Sequence, residues 1–308
     1  MDFQNTAILG AGTIGMSWAA LFAASGRKVA IYDPAPAAEA HVAHFFETSA
    51  ETLRKLGWEQ AGDTSGLRFT TDPAEAVAGA DFIQESVPER MAIKHDLYRA
   101  IEPALAKGAI IGTSTSGLKL SELQEGFENP GRLVLAHPFN PPHLIPLVEM
   151  LANDRTDSDV LDVAQGFYES LGKVCVRLHK EVPGHIANRL QAAIWREAIN
   201  LAVEGVASVG DIDKAVTYGP GLRWAAMGPS CLFHLGGGEG GIRAFCDHLG
   251  PALKTWWDDL GHPDLTPAVV DTLEAGVREE THGQSLDELA ARRDDLVLSY
   301  IRKLTDKE

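Results

Sequence analysis

Short apolar runs alternate with stretches of helical apolar spacing over the first part of the chain. Short apolar runs bounded by Gly, Pro, Asp or Ser are typical of buried strands. The predicted strands are 6–9, 29–32, 81–84, 109–111, 133–136, 145–149 and 174–176. Helical spacing lies between them, and the segment 38–56 is expected to be a helical insertion. This alternation predicts an α/β domain of Rossmann type with a mostly parallel sheet.

The alternation stops after the segment 180–184, and only helical spacing follows. The predicted helices of this second part are 186–203, 208–216, 231–235, 241–249, 252–260 and 285–304. A tight turn rich in glycine is expected at 219–224. The pattern therefore predicts two domains, 1–183 of α/β type and 184–308 of all-α type.

The first predicted strand runs directly into Gly10-Ala11-Gly12-Thr13-Ile14-Gly15 and a helical stretch. In this position the three glycines serve a tight turn, close approach of a pyrophosphate to the backbone, and close packing of helix on strand. The second strand ends at Asp33, where a carboxylate hydrogen-bonds ribose hydroxyls and repels a 2'-phosphate. The motif and Asp33 predict a dinucleotide site that prefers NAD.

His137 ends one apolar strand, and Glu149 is a lone carboxylate in the next apolar segment. A carboxylate in such a segment needs a partner. If the two segments lie side by side, Glu149 accepts from one ring nitrogen and leaves the other free to take a proton. On the residue types alone, a satisfied structural histidine is the more ordinary interpretation, because most histidines near strand ends are of that kind.

Four hydroxyl residues, Thr113-Ser114-Thr115-Ser116, follow the predicted strand at 109–111. The carboxyl ends of strands in open α/β sheets are where ligands bind. A ligand site and an ordinary turn rich in Ser and Thr both fit this pattern.

The composition narrows the range of partners. Hydrophobic residues make up 45% of the 308 residues, and 43 acidic against 27 basic side chains give a net charge of -16. This charge has the wrong sign for nucleic acid or an anionic membrane surface. Three cysteines without CxxC spacing indicate neither a disulfide framework nor a metal site. No targeting or membrane-spanning segment is evident, and we expect a cytoplasmic protein.

Four segments resemble the L-3-hydroxyacyl-CoA dehydrogenase superfamily. They are the glycine motif with its strand, Ser114-Thr115-Ser116, His137-Pro138-Phe139-Asn140-Pro141 with Glu149, and Gly184-His185-Ile186-Ala187-Asn188-Arg189-Leu190. The resemblance implies an NAD-dependent enzyme in which His137 is the general base and Glu149 orients it. It implies that Ser116 and Asn188 hydrogen-bond the reacting oxygen, that Ser114, Glu89 and Lys94 lie at the cofactor, and that Asn140 contacts substrate. It also implies a homodimer formed through the helical domain, which binds substrate.

The segment Gly221-Leu222-Arg223-Trp224-Ala225 is similar to the branch that contains lambda-crystallin, an L-gulonate 3-dehydrogenase, and L-carnitine dehydrogenase. This predicts a small free 3-hydroxy acid as substrate, and Arg223 is expected to grip its carboxylate. Stacking of Arg223 on Trp224, or a surface ion pair, is the plainer alternative. The segment 38–66 holds only Arg54 and Lys55 as cations for a CoA nucleotide. An L-3-hydroxyacyl-CoA dehydrogenase is the alternative enzyme, and a non-catalytic, crystallin-like NAD-binding protein is the alternative of another class.

Overall fold

Eight strands form one sheet in the computed structural model, which describes residues 3–305. The strands are β1 (Asn5–Leu9), β2 (Lys28–Tyr32), β3 (Leu67–Thr70), β4 (Phe82–Glu85), β5 (Ile110–Thr113), β6 (Leu133–Pro138), β7 (Leu147–Leu151) and β8 (Val174–Arg177). The helices around the sheet are α1 (Thr13–Ala24), α2 (Ala38–Lys55), α3 (Pro73–Val77), α4 (Met91–Ile101), α5 (Leu120–Leu123) and α6 (Val160–Ser170). By contacts the chain divides into two units, Met1–Ala187 and Asn188–Glu308.

The strand order is β3-β2-β1-β4-β5-β6-β7-β8. All neighbouring strands are parallel except β6 and β7, which run antiparallel. The first six strands have the order of a dinucleotide-binding sheet, in which the direction of winding reverses between β1 and β4. The predicted Rossmann-type fold with a mostly parallel sheet is confirmed.

Both faces of the central strands are buried, and adjacent strand residues point to opposite faces. Ile8 and Phe82 pack with Phe22 and Phe167 in one apolar cluster. Their neighbours Leu9 and Ile83 pack with Leu97, Tyr98 and Ile101 in a second cluster on the other face. This arrangement explains why the strands read as short continuous apolar runs.

Local signals account for several element ends. The α3 helix begins as expected, with Asp72 accepting a hydrogen bond from the Ala74 N–H and Pro73 at the first helical position. The β3 strand was not predicted, because Leu67-Arg68-Phe69-Thr70 is an edge strand with two charged or polar side chains. Partial exposure of an edge strand weakens its apolar signal.

Every element of the second unit, as far as residue 305, is helical. The helices are α7 (Ala187–Val203), α8 (Val209–Val216), α9 (Leu222–Ala226), α10 (Pro229–Gly236), α11 (Gly241–Asp259), α12 (Pro267–Thr281) and α13 (Leu286–Thr305). The predicted all-α character is confirmed. No helix among the described residues is long and apolar enough to cross a membrane.

Two predictions about the second unit were wrong in detail, and one helix was missed. The two helices expected at 241–249 and 252–260 form one helix, α11, that contains Pro251. The expected tight turn is a kink at Gly219, where φ and ψ are -101° and -108°, inside a π-turn at Thr217–Gly221 that leads directly into α9. The α12 helix was missed, although Thr266 caps it by accepting from the Val269 N–H and Pro267 opens it.

Candidate active site

The glycine motif forms the turn between β1 and the N-terminus of α1. Gly10 has a φ of +96°, and a Cβ there would lie 2.8 Å from the Ser86 carbonyl oxygen. A Cβ on Gly15 would lie 1.8 Å from the Gly10 oxygen, so only glycine fits at either position. A Cβ on Gly12 would meet no heavy atom within 4 Å in the part of the chain that the structure describes. The open space at Gly12 lies at the positive end of the α1 dipole, where a pyrophosphate is expected, and contacts of Thr13 and Ile14 with the cofactor stay predictions.

Asp33 follows β2 and is held by two backbone donors. Its carboxylate accepts from the Ala11 N–H at 3.0 Å and from the Ala35 N–H at 2.9 Å. A cavity of about 510 Å³ opens beside it. Its lining includes Gly10, Tyr32, Asp33, Pro34, Val87 and Ile93. A carboxylate and apolar walls fit an adenosine with a free 2'-hydroxyl, which is the NAD form.

His137 and Glu149 face each other across the antiparallel pair β6 and β7. The two residues are register partners, and His137 Nδ1 lies 2.9 Å from Glu149 Oε2. The other carboxylate oxygen accepts from the N–H groups of Ile186 at 2.7 Å and Ala187 at 2.9 Å. The predicted adjacency is therefore observed, and His137 Nε2 is the ring nitrogen left to take a proton.

The Glu149 carboxylate is ionised in this environment although it is only 1% exposed. Burial alone would raise its pKa. The hydrogen bonds from His137, Ala187 and Ile186 outweigh burial and lower the pKa of Glu149 below its ordinary value. The negative charge of Glu149 beside Nδ1 keeps the hydrogen of the neutral His137 ring on Nδ1. It also stabilises the imidazolium that forms when the ring accepts a proton.

The hydroxyl segment 113–116 lies at the carboxyl end of β5, next to β6. Ser114 Oγ accepts from Gln84 Nε2 at 2.8 Å and lies 2.9 Å from the Ser86 hydroxyl. Ser116 is exposed, and its N–H donates to Glu89 at 2.9 Å. The segment is thus tied to β4 and its following loop, and the hydroxyl of the exposed Ser116 lies 3.5 Å from Glu89 Oε1.

Glu89 and Lys94 belong to one chain of charges. Lys94 Nζ lies 2.7 Å from Glu85 and 3.6 Å from Glu89, and its side chain is 1% exposed. Burial alone would raise the pKa of Glu89. The Thr115 hydroxyl, the Lys94 ammonium and backbone N–H groups outweigh burial and lower this pKa. The buried ammonium of Lys94 pairs with both glutamates, Glu85 and Glu89. Cofactor binding by Glu89 and Lys94 stays a prediction.

The loop between β6 and β7 carries Asn140, whose side chain is exposed. Buried groups beneath the loop hold it in place. The Ser17 hydroxyl bonds both the ring and the N–H of His143, at 2.9 Å and 2.7 Å. Lys173 Nζ donates to the carbonyls of Pro142 and Ile145. Burial lowers the pKa of Lys173 to about 7.

Comparison with known proteins agrees with this geometry. Residues 5–182 match the model of the 3-hydroxyacyl-CoA dehydrogenase NAD binding domain, and residues 184–283 match that of the C-terminal domain. The chain belongs to the 3-hydroxyacyl-CoA dehydrogenase family. It is an NAD-dependent oxidoreductase, and the predictions of family, cofactor and enzyme class are confirmed.

Within this family, several relatives match nearly the whole chain. The L-carnitine dehydrogenase of Nocardiopsis dassonvillei is 45% identical over 99% of this chain and 93% of that protein. The L-carnitine dehydrogenase of Streptomyces coelicolor is 44% identical over 98% of this chain and 95% of that protein. A solved structure of an NAD⁺-dependent dismutase, 5-formyl-3-hydroxy-2-methylpyridine 4-carboxylic acid 5-dehydrogenase, has a TM-score of 0.84 at 30% identity and covers 100% of both chains.

The sequence did not single out Glu85, which binds Lys94 in the cluster formed by Glu85, Lys94 and Glu89. Glu85 ends β4 with 0% exposure and accepts from Lys94, from the Tyr98 hydroxyl at 2.8 Å and from the Thr113 hydroxyl at 2.6 Å. The strand predicted at 81–84 stops one residue short of Glu85. A carboxylate at the end of the predicted strand, after Phe82 and Ile83, was the available signal, and it resembles the signal that singled out Glu149.

His185 was also missed, although it lies inside a segment that carried the family resemblance. The side chain is 3% exposed, and its ring centroid lies 5.0 Å from that of His137. A histidine between glycine and an apolar residue carries no signal of its own in the sequence.

Two predicted site residues, Asn188 and Arg223, lie in the second unit. Asn188 is half-buried in the first turn of α7. Arg223 is exposed in α9, beside the half-buried Trp224. Their roles toward the substrate stay predictions.

Proposed function

We propose that the protein oxidises the 3-hydroxyl of L-carnitine with NAD, giving the 3-keto acid, NADH and a proton. The observation that carries this proposal is the full-length similarity to relatives named L-carnitine dehydrogenase. The site chemistry agrees with it. A neutral imidazole oriented by an ionised carboxylate is the general base that oxidation of a secondary alcohol needs.

In the proposed reaction His137 Nε2 accepts the hydroxyl proton of the substrate. Glu149 keeps the proton of the free imidazole on Nδ1 and stabilises the imidazolium while it exists. Bound NAD supplies the hydride acceptor, held by the glycine turn and Asp33. Ser116 and Asn188 hydrogen-bond the reacting oxygen, and His137 finally releases its proton to solvent.

L-Carnitine is a free acid, and we assign its carboxylate to Arg223, whose guanidinium matches a carboxylate with paired hydrogen bonds. The acyl-CoA alternative has less support in the first unit. Both cations of the 38–66 segment are already engaged, Arg54 with the Ala61 carbonyl at 3.0 Å and Lys55 with Glu51 at 3.0 Å.

The test is NADH formation with L-carnitine, L-gulonate, L-3-hydroxybutyrate and the CoA thioester of 3-hydroxybutyrate. We expect the highest kcat/KM with L-carnitine. L-Carnitine amide is the matched control for the carboxylate, and it should be a poor substrate for the unaltered enzyme. Equal kcat/KM for L-carnitine and its amide would contradict the proposal that Arg223 binds the substrate carboxylate.

Two other outcomes would contradict the proposed substrate. Highest efficiency with the CoA thioester would favour the acyl-CoA alternative. Absence of turnover with every compound, together with tight NAD binding, would favour the non-catalytic alternative.

We also propose that the chain forms a homodimer through its second unit. Among the described residues of this unit, the buried large apolar side chains are Ile199, Ile212, Phe245 and Leu298. Large apolar side chains stay exposed in the single chain, including Trp195, Trp256 and Trp257. Apolar surface of this extent is typical of an interface. Light scattering should give a dimer mass at micromolar concentration, Trp257→Glu should shift it toward monomer, and a monomer mass for the unaltered chain would contradict the proposal.

A further inference from the structure

The backbone at His185 adopts a conformation that most residues avoid. Gly184 and His185 have φ values of 74° and 51°, so two consecutive residues are left-handed. Glycine takes this conformation freely, whereas histidine does so at a cost. The turn points the next two N–H groups, those of Ile186 and Ala187, at one oxygen of Glu149. Residues held in such conformations concentrate at functional sites.

The side chain of His185 points to a different part of the site. Its Nε2 lies 3.1 Å from the carbonyl oxygen of Thr115. A carbonyl only accepts, so Nε2 carries the hydrogen and donates it, and the ring is the Nε2–H tautomer. Thr115 precedes Ser116 and is itself fully buried. The hydrogen bond therefore fixes the segment from which the Ser116 hydroxyl projects.

His185 thus connects the two parts of the site. Its backbone forms the turn that holds Glu149, the carboxylate that orients His137. Its side chain holds the hydroxyl segment at the end of β5. We propose that His185 is a positioning residue for the oxidation, fixing Ser116 relative to the general base. The inference rests on the proposed reaction, because it assigns His137 and Ser116 to the same reacting hydroxyl.

The charge state of His185 suits this position. Burial lowers its pKa, and proximity to His137 lowers it further, while Thr115, Glu149 and Glu89 act in the opposite direction. The net effect keeps the ring neutral near neutral pH. A neutral ring places no second positive charge 5.0 Å from the imidazolium that forms on His137.

Two variants separate positioning from simple packing. His185→Phe keeps a ring of similar size and removes the donor, whereas His185→Gln keeps an N–H that can reach the Thr115 carbonyl. Loss of one hydrogen bond to a buried group should lower kcat of the Phe variant roughly 10- to 100-fold, with little change in NAD affinity. The Gln variant should recover to within about 3-fold of the unaltered kcat by the same reasoning. His179→Phe, at an exposed histidine, is the matched control and should leave kcat unchanged.

The comparison uses whichever 3-hydroxy compound the unaltered enzyme oxidises best. Failure of L-carnitine as substrate would then sink the proposed function without affecting this test. Equal kcat for the Phe variant and the unaltered enzyme would overturn the positioning role. Equal losses in the Phe and Gln variants would overturn it as well, because the donor would then be irrelevant.

A second measurement needs no turnover. Nitrogen-15 NMR of the imidazoles in the NAD complex reports which ring nitrogen carries hydrogen. We expect the Nε2–H tautomer for His185 and the Nδ1–H tautomer for His137. An Nδ1–H tautomer, or a protonated ring, at His185 near neutral pH would contradict the hydrogen bond on which the inference depends.

Discussion

Replacing Glu149 by Gln should remove most of the activity while leaving the fold and the NAD site in place. The carboxylate accepts from His137 on one oxygen and from two backbone N–H groups on the other. A glutamine cannot serve both sides, because one end of its amide is a donor. If the amide nitrogen faces His137, Nδ1 must become the acceptor, and Nε2 then carries the hydrogen and cannot act as a base.

The magnitude follows from the lost charge. Two opposite unit charges about 4 Å apart, in surroundings with an effective dielectric constant of about 20, attract each other by about 4 kcal/mol. This is the stabilisation that the imidazolium loses when Glu149 becomes neutral. At about 1.4 kcal/mol for each tenfold change, kcat should fall by about 10³. The wrong tautomer adds to this loss, so a fall of about 10³ is the least that we expect.

The measurement is kcat for NADH formation at saturating NAD and substrate, with NAD affinity and the unfolding midpoint recorded for the same samples. Glu47→Gln, at an exposed glutamate on α2, is the matched control and should be neutral. A kcat for Glu149→Gln within about 3-fold of the unaltered enzyme would refute the reasoning, because neither tautomer nor charge would then matter to the base. A large loss of NAD affinity would instead indicate a structural role for the carboxylate.

Three further predictions concern the cofactor, the base and the loop beside it. Asp33→Ala should weaken the preference for NAD over NADP, measured as the ratio of kcat/KM values, and equal efficiency with both cofactors in the unaltered enzyme would contradict the assignment. His137→Gln should lower kcat by about 10² to 10⁴ with NAD binding intact, and a smaller loss would exclude it as the general base. Lys173→Met tests the buried ammonium under the loop at Pro142 and Ile145. Its pKa is 10.5 when unfolded and about 7 when folded, so between these values the unfolded chain binds more protons and stability rises with pH. Urea unfolding from pH 7 to about pH 9 should show this rise in the unaltered protein relative to the Met variant, and parallel curves would contradict the lowered pKa.

The sequence by itself determined the features whose causes are local. The strand, the three spaced glycines and the following helix together predict the tight turn. A Cβ at Gly10 or Gly15 would collide with backbone atoms, so the turn needs glycine at both positions. The pairing of His137 with Glu149 could also be predicted, because a carboxylate inside an apolar strand needs a hydrogen-bond partner and few polar groups are near it. The spacing of apolar residues separated the α/β half from the helical half, because this spacing follows from the local backbone geometry of strands and helices.

The tertiary structure alone decided which distant groups meet. The burial of Lys94 depends on the end of β4, where Glu85 receives it, and a lysine on an amphipathic helix reads as solvent-exposed until that contact is known. Pro251 reads as a helix end, yet α11 continues through it, because packing within a unit can outweigh a local preference. His185 acquires its place from a left-handed turn and from a carbonyl 70 positions earlier in the chain. Contacts between residues so far apart in sequence leave no periodic or compositional trace, and only the folded chain brings them together.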